Sequence, residues 1–291
     1  MSAATYNRLF RKLERFEILP YGSRRGEHIG HRRSPSRGTG LEFADHKEYS
    51  PGDDIRYLDW NLYARLEEEF VKIFEQEEAL PVYVLLDRSA SMSVGSPSKF
   101  ALGAYLAVAL AYVGLANQDH VRLGLVADGL VASSRPLRGK TQIFEVQRLI
   151  EDPPAGATDL GAALETFSAE ARLPGIVFLI SDFLAAEGLL KGVRLLAGRR
   201  FVIWAFHLVA PEERQPDVRG DVELQDIETG RTLRAALRRD TPARFRTFFE
   251  QHCAALQADL RRYGVRVLRI ATNQDPDEIL FTRLPKEGVF R

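Results

Sequence analysis

The chain has 291 residues, of which 45% are hydrophobic and 27% charged, and its formal net charge is zero. This composition is typical of a globular protein with a full hydrophobic core, in one large or two ordinary domains. A neutral chain has no overall field that would attract nucleic acid or an anionic membrane. The single cysteine, Cys253, excludes an internal disulfide and fits a reducing compartment. Its apolar, helix-like surroundings predict a buried and inert thiol.

Two stretches bear on targeting. Residues 1–20 alternate basic and apolar residues without an uninterrupted apolar core, so no secretion signal is expected. Residues 100–118 carry no charge but are at the short end for a membrane span, and a helix buried against a sheet explains them better. We therefore expect a soluble, cytoplasmic protein.

The first forty residues are basic. They carry a net charge of +6, and the remainder of the chain carries −6. We expect a short amphipathic helix and then an exposed, mobile loop over about 22–40, which is rich in Gly, Ser and Arg. A basic arm at 24–37 is one way to contact nucleic acid, but the absence of interleaved aromatic residues favours an ordinary solvated loop.

Residues 41–79 are dense in charge and turn signals. Pro51-Gly52 predicts a turn, after which Asp53 or Asp54 is well placed to cap the next element. The two carboxylates could act as acid and base, but neutralising Arg56 and Arg65 in a compact turn is favoured. A candidate functional segment is made of six residues: Asp53, Asp54, Arg56, Asp59, Trp60 and Arg65.

The same segment is expected to fold against the remainder of the chain. The alternating pattern of residues 71–75 predicts a half-exposed strand. Trp60 and Tyr57 supply large apolar surfaces that an isolated segment of this length could not bury.

From residue 81 onward the pattern is α/β. Apolar or alternating runs predict strands at 82–86, 120–127, 130–132, 176–180, 201–208 and 265–270. Helical patterns lie at 98–117, 141–151, 159–172, 187–198 and 242–263, and a last helix begins near Pro276. Asp128-Gly129 predicts a tight hairpin, and a second hairpin is expected within about 217–238. Strands alternating with helices favour a doubly wound, mostly parallel, Rossmann-type sheet with helices on both faces.

Oxygen-bearing side chains follow two of these strands and precede one helix. Asp87, Ser89 and Ser91 come at alternate positions after the strand 82–86, at the edge where open α/β sheets bind ligands. Thr158 precedes the helix 159–172, and Asp182 follows the strand 176–180. Hard oxygen ligands of this kind suit Mg²⁺ or Mn²⁺. The alternative is that these residues are only helix caps and turns.

This arrangement resembles the metal-ion-dependent adhesion site of von Willebrand factor A domains. The resemblance implies that Ser89 and Ser91 bind the cation directly, that Thr158 binds it directly or through water, and that Asp87 and Asp182 act mostly through water. With few charged direct ligands, the cation would stay under-neutralised and recruit an acidic group from outside.

A longer string supports a narrower resemblance. It runs from Glu42-Phe43 through Tyr49-Ser-Pro-Gly-Asp-Asp-x-Arg56, Leu58-Asp-Trp60, Ala64-Arg65 and Val71-Lys72 into Leu86-Asp-Arg-Ser-Ala-Ser-Met92. It resembles the domain-of-unknown-function 58 family, whose members are similar to von Willebrand factor A domains and are often encoded beside MoxR-type AAA+ ATPases. The resemblance implies a fold and a partner class but no established reaction. The expected divisions are 1–40, 41–79 and a von Willebrand factor A-like domain over 80–291.

Three functions are compatible with these features. The leading hypothesis is a non-enzymatic, metal-dependent protein–protein interaction module, an adaptor or co-chaperone for a MoxR-type ATPase or its client in the maturation or assembly of other proteins. The main rival is a metal-dependent hydrolase using the same loops, although no histidine or cysteine base accompanies Ser89 or Ser91 in sequence. The third is a nucleic-acid-binding adaptor that uses the basic arm. The sequence has neither a P-loop motif nor zinc-ligand spacing.

Overall fold

A computed structural model describes residues 3–19, 33–36, 42–77, 79–185, 188–214, 220–237 and 241–291. Its strands are β1 (Arg33–Ser36), β2 (Glu42–Glu48), β3 (Phe70–Glu77), β4 (Pro81–Asp87), β5 (His120–Ala127), β6 (Gly129–Ser133), β7 (Ile176–Ser181), β8 (Val202–Val209), β9 (Gly220–Gln225), β10 (Thr232–Leu237) and β11 (Arg266–Ala271). Its α-helices are α1 (Ala3–Leu13), α2 (Trp60–Leu66), α3 (Lys99–Ala116), α4 (Ile143–Leu149), α5 (Leu160–Glu170), α6 (Leu189–Gly198), α7 (Pro211–Arg214), α8 (Thr241–Arg262), α9 (Pro276–Glu278) and α10 (Leu284–Glu287). The described residues form two compact units, one made of 3–19 with everything from Pro81 onward and the other lying within 20–80.

The larger unit is built on a six-stranded sheet in the order β11-β8-β7-β4-β5-β6. All neighbouring strands are parallel except β6, which returns antiparallel to β5 through the predicted hairpin. Numbered within this sheet alone, the strands have the order 3-2-1-4-5-6 of doubly wound folds when the sheet is taken from β6. The strand order reverses between β4 and β7, and the carboxyl ends of these two strands are where such folds bind ligands.

Helices cover both faces of this sheet. On one face, Gly103 of α3 lies so close to Leu86 that an added Cβ would be 3.0 Å from its Cδ1. On the other face, Tyr83 and Leu85 belong to a core shared with α5, α6 and α8. Side chains of a strand alternate between faces, and both faces of this sheet are covered, which explains why β4 is apolar at every position before Asp87. The predicted doubly wound α/β class is therefore confirmed.

The long apolar helix α3 is a core element of this layer. It is long and apolar enough to cross a membrane by length and composition, and 78% of that span is buried inside the structure. Burial against the sheet accounts for its apolar character, as expected for residues 100–118.

Most predicted elements of the larger unit are present within a few residues of their expected bounds. Two of them are more complex than predicted. The helix expected at 141–151 begins as a 3₁₀ turn, Lys140–Gln142, before α4, and the last helix is interrupted by a π-helical stretch, Ile279–Arg283. The predicted mobile loop is wrong at residues 33–36, which form β1 antiparallel to β3, and the remainder of 22–40 lies outside the described residues.

The N-terminal helix belongs to the larger unit. Leu13 and Ile18 are fully buried, and the ring of Phe10 stacks on Tyr112 of α3 at 4.0 Å between centroids. Ile18 also forms a β-bridge with Phe290. The compact units therefore divide at residue 19 rather than at the predicted 40, because the apolar face of α1 packs on this core.

The smaller unit contains an antiparallel sheet in the order β1-β3-β2 and the short helix α2. The predicted strand at 71–75 is present as β3. The side chain of Trp60 is 66% exposed and contacts Tyr63 edge-on, one turn along α2. The expectation that 41–79 packs on the α/β domain stays a prediction.

Candidate metal centre

The loop after β4 fixes two hydroxyl groups next to a carboxylate. Asp87, the last residue of β4, accepts a hydrogen bond from the Ser89 amide at 2.9 Å. The hydroxyls of Ser89 and Ser91 lie 3.0 Å apart. Asp87 and Ser89 are fully buried and Ser91 nearly so, which holds these oxygens in one arrangement.

The end of β7 is joined directly to this loop. The Ser181 hydroxyl donates to the second oxygen of Asp87 at 2.6 Å and accepts from the Phe183 amide at 2.9 Å. Asp182, the next residue, is also buried, and its Oδ1 accepts from the Leu184 amide at 3.2 Å. The predicted groups of β4 and β7 therefore meet where the strand order reverses.

The loop that carries Thr158 is hydrogen-bonded to the same region. The Ala90 amide donates to the carbonyl of Gly156 at 2.9 Å, and the Ala155 amide donates to the carbonyl of Arg88 at 2.7 Å. Thr158 itself is half-buried, and its hydroxyl donates to Glu228 Oε1 at 3.1 Å. Glu228 lies in the turn between β9 and β10 and was not predicted as a site residue.

A buried lysine was also missed. The side chain of Lys99, in the first turn of α3, is fully buried and donates to Asp182 Oδ2 at 2.6 Å and to Glu213 of α7. Glu213 also accepts from the Ala210 amide at 2.9 Å. The sequence did contain a signal, because a lysine at the start of a helix opposes the helix dipole unless acidic groups face it.

The network carries a surplus of negative charge. Burial and the nearby charge of Asp182 raise the pKa of Asp87 to about 6, although hydrogen bonds from Ser181 and Ser89 act against this shift. Burial lowers the pKa of the neighbouring His207 to about 4, so that its ring is neutral at neutral pH and offsets none of this charge. The network contains three carboxylates, Asp87, Asp182 and Glu213, and the Lys99 ammonium faces the last two of them. A bound cation would neutralise the negative charge that Lys99 does not offset.

The residues present fit a hard divalent cation. The described ranges contain no group of three or more His, Cys, Asp or Glu side chains that could hold a metal ion, so a site here depends on hydroxyl oxygens. Mg²⁺ and Mn²⁺ accept such oxygens together with one or two carboxylates. The residues that would hold the ion are the predicted set: Asp87, Ser89, Ser91, Thr158 and Asp182.

The second predicted segment forms a separate set of ion pairs. Asp54 pairs with Arg56 at 2.6 Å, as expected. Asp53 pairs with Lys47 at 3.0 Å, which corrects the expected pairing with an arginine. Asp59 caps α2 by accepting from two of its amides and also accepts from His46 and Lys72.

Strand order and layers define a doubly wound α/β protein. More narrowly, the chain belongs to the family described as "Protein of unknown function DUF58", which matches residues 45–259. Proteins from Mycobacterium bovis and Mycobacterium tuberculosis, both called uncharacterized, are each 31% identical to it over 261 residues, or 86% of this chain and 79% of theirs.

Solved structures show more distant likeness. The conserved hypothetical protein BatB from Bacteroides thetaiotaomicron is 14% identical, with 72% of this chain and 98% of that chain covered at a TM-score of 0.45. The von Willebrand factor A domain of SpRpn10 is 11% identical, with 70% and 94% covered at a TM-score of 0.40.

Proposed function

We propose that this protein is a metal-dependent protein–protein interaction module with no turnover of its own. One observation carries the proposal. The loops after β4 and β7 and the loop before α5 meet at the carboxyl edge of the sheet, where they bring hydroxyls and a surplus of buried carboxylate together. A divalent cation bound by these oxygens supplies a Lewis acid for an oxygen of a partner.

The candidate ligands differ in their exposure, and the more exposed one marks the accessible side of the centre. Asp87, Ser89, Ser91 and Asp182 are all buried, whereas Thr158 is half-exposed. An acidic side chain of a partner would therefore approach on the Thr158 side. Neutral hydroxyl ligands leave much of the cation's charge for that incoming carboxylate.

Binding fits the neighbouring groups better than hydrolysis does. The Ser89 and Ser91 hydroxyls hydrogen-bond to each other, and burial raises the pKa of the Cys253 thiol, which keeps it protonated. The neutral, buried ring of His207 contacts Phe183 edge-on. The partner class comes from the family resemblance: a cytoplasmic MoxR-type AAA+ ATPase or its client, with the protein acting as adaptor or co-chaperone.

Metal binding is the first test. Titration calorimetry with Mg²⁺ and Mn²⁺ should show weak affinity, on the order of micromolar to millimolar, since most ligands are neutral. Ser89→Ala should abolish binding. Ser93→Ala is the matched control in the same loop, because the Ser93 hydroxyl bonds only to the nearby Ala90 carbonyl. Equal affinity in the wild type and Ser89→Ala would contradict the proposal.

Partner capture is the second test. The purified chain should retain a MoxR-type ATPase from the same genome in Mg²⁺ and release it in EDTA. Thr158→Ala should lose capture while costing at most about 1 kcal/mol in stability. Binding that survives EDTA but falls steeply with salt would indicate nucleic-acid-like phosphate contacts instead. Metal-dependent hydrolysis of a phosphoester, lost in Asp87→Ala, would indicate the rival enzyme.

A further inference from the structure

The hairpin β9–β10 reaches the candidate metal centre through the side chain of Glu228. Glu228 is half-buried in its turn, whereas Asp226, Ile227, Thr229 and Gly230 around it are exposed. Its Oε1 accepts the hydroxyl proton of Thr158 at 3.1 Å. A carboxylate of this chain therefore already stands on the side of the centre from which a partner's carboxylate would come.

Hydrogen bonds to Asp226 hold the backbone of Glu228 in place. Asp226 Oδ1 accepts from the amides of Glu228 and Thr229 at 2.8 and 3.0 Å, and the Gly230 amide closes the turn onto the Asp226 carbonyl at 2.8 Å. Gly230 has a φ of +70°, which suits a residue without Cβ. None of these bonds uses the Glu228 side chain, so that side chain is free to serve the centre.

The two strands of this hairpin, β9 and β10, leave large apolar side chains exposed. Leu224 and Leu233, which pair across the two strands, are 45% and 65% exposed. A two-stranded hairpin without a buried face is only marginally stable. The hairpin can therefore move away from Thr158 at a small cost in free energy.

We infer that Glu228 acts on the cation site from within the chain through the Thr158 hydroxyl, and that a partner's acidic group must displace it from its place beside Thr158. This inference rests on the function proposed for the centre. A hydroxyl has one proton and two lone pairs, so Thr158 can donate to Glu228 and still offer a lone pair to a cation. A carboxylate that holds the proton also makes that oxygen a better ligand. Glu228 thus raises cation affinity and competes with outside carboxylates.

The test uses the full chain with Mn²⁺ as the only ligand. Electron paramagnetic resonance measures Mn²⁺ binding, and amide hydrogen exchange measures the protection of the hairpin turn. Glu228→Gln should weaken Mn²⁺ binding about tenfold, the effect of losing one charged contact. In the wild type, Mn²⁺ should slow amide exchange over residues 226–231, and in Glu228→Gln it should not. Glu223→Gln is the matched control, since Glu223 lies on β9 of the same hairpin and its carboxylate faces Arg234. That variant should bind Mn²⁺ within about twofold of the wild type.

Chemical rescue separates a lost carboxylate from a disturbed hairpin. Millimolar acetate should restore most of the Mn²⁺ affinity of Glu228→Gln and leave the wild type nearly unchanged. If Ser89→Ala loses Mn²⁺ while Glu228→Gln binds it normally, this inference is wrong and the proposed function stands. If the wild type binds no Mn²⁺, both are wrong. If Glu228→Gln and Glu223→Gln lose Mn²⁺ affinity equally, the overall charge of the hairpin explains the effect and the inference is wrong.

Discussion

Lys99 links three elements at the carboxyl edge of the sheet. It stands in α3, and its ammonium contacts Asp182 after β7 and Glu213 of α7. Lys99→Met would leave both carboxylates in a buried setting without their cation, and breaking a buried pair in this way costs about 3–5 kcal/mol. Urea denaturation should show a loss of that size.

A surface lysine provides the control for this variant. Lys191 pairs with Glu165 at 2.7 Å, but its side chain is 71% exposed. Lys191→Ala should change the unfolding free energy by less than about 1 kcal/mol, because solvent screens exposed pairs. Similar losses in the two variants would mean that Lys99 is not the counter-charge of this network.

Asp59 gives the smaller unit a pH dependence with a definite sign. Hydrogen bonds from His46, and further ones from Lys72 and two amides of α2, lower its pKa to about 2, from an ordinary 3.8. The folded state thus favours the ionised form, and this stabilisation is complete above about pH 4 and is lost as the pH falls through about 2. Asp59→Asn keeps a capping oxygen but removes the charge.

The wild type should therefore melt at a higher temperature than Asp59→Asn at pH 7, and the gap should narrow between pH 4 and 2. Thermal unfolding followed by circular dichroism measures both curves. A gap that widens on acidification would contradict the assigned role of this carboxylate.

The sequence predicted which oxygen-bearing side chains follow the strands, but not which charged groups face them. Asp87, Ser89 and Ser91 could be found because they follow a single apolar strand at fixed spacing. Lys99 and Glu213 are separated by more than a hundred residues, and Thr158 and Glu228 by 70. No local pattern encodes which distant charge faces which, because tertiary packing decides it.

Helices α5 and α6 pack closely together at a glycine of α6. A Cβ on Gly192 of α6 would stand 2.6 Å from the Cβ of Leu164 on α5, which is far too close. Gly192→Ala should therefore destabilise the protein by about 1–3 kcal/mol through overpacking. Gly198, at the end of the same helix, has nothing within 4 Å of its added Cβ.

Gly198→Ala should then be neutral or stabilising by up to about 1 kcal/mol, because alanine is the better helix former. Chemical denaturation of the two variants side by side measures the difference. If Gly192→Ala were as stable as Gly198→Ala, the helices would have room to separate, and the close packing would not be a constraint.

Elements were predictable where one periodicity dominates. The apolar runs of β4 and β7 and the uncharged run 100–116 in α3 leave few alternatives. The strand β1 was not predicted, because Arg33-Ser-Pro-Ser36 has no strand-like composition and its pairing with β3 supplies the order. Pairing with a distant strand overrode local propensity there.

The whole molecule is organised differently from a basic arm followed by two domains. The N-terminal stretch contributes to the α/β unit, where Lys12 pairs with Asp277 at 2.8 Å and Asn117 donates to the Phe16 carbonyl at 2.8 Å. Backbone bonds also join Glu17 to Arg291 and Leu19 to Val289. The positive charge of residues 3–19 is thus fixed on a folded core.

Leu13 tests this organisation. Its side chain is fully buried, so Leu13→Ala should destabilise the α/β unit by about 2–5 kcal/mol, the cost of emptying a leucine-sized space in a core. Arg11, exposed on the same helix, is the control, and Arg11→Ala should stay within about 0.5 kcal/mol. Native-state hydrogen exchange locates the effect, since α3 and α1 should lose protection together in Leu13→Ala. If the protection of α3 is unchanged while α1 unfolds, the N-terminal helix is an independent arm rather than a part of the α/β core.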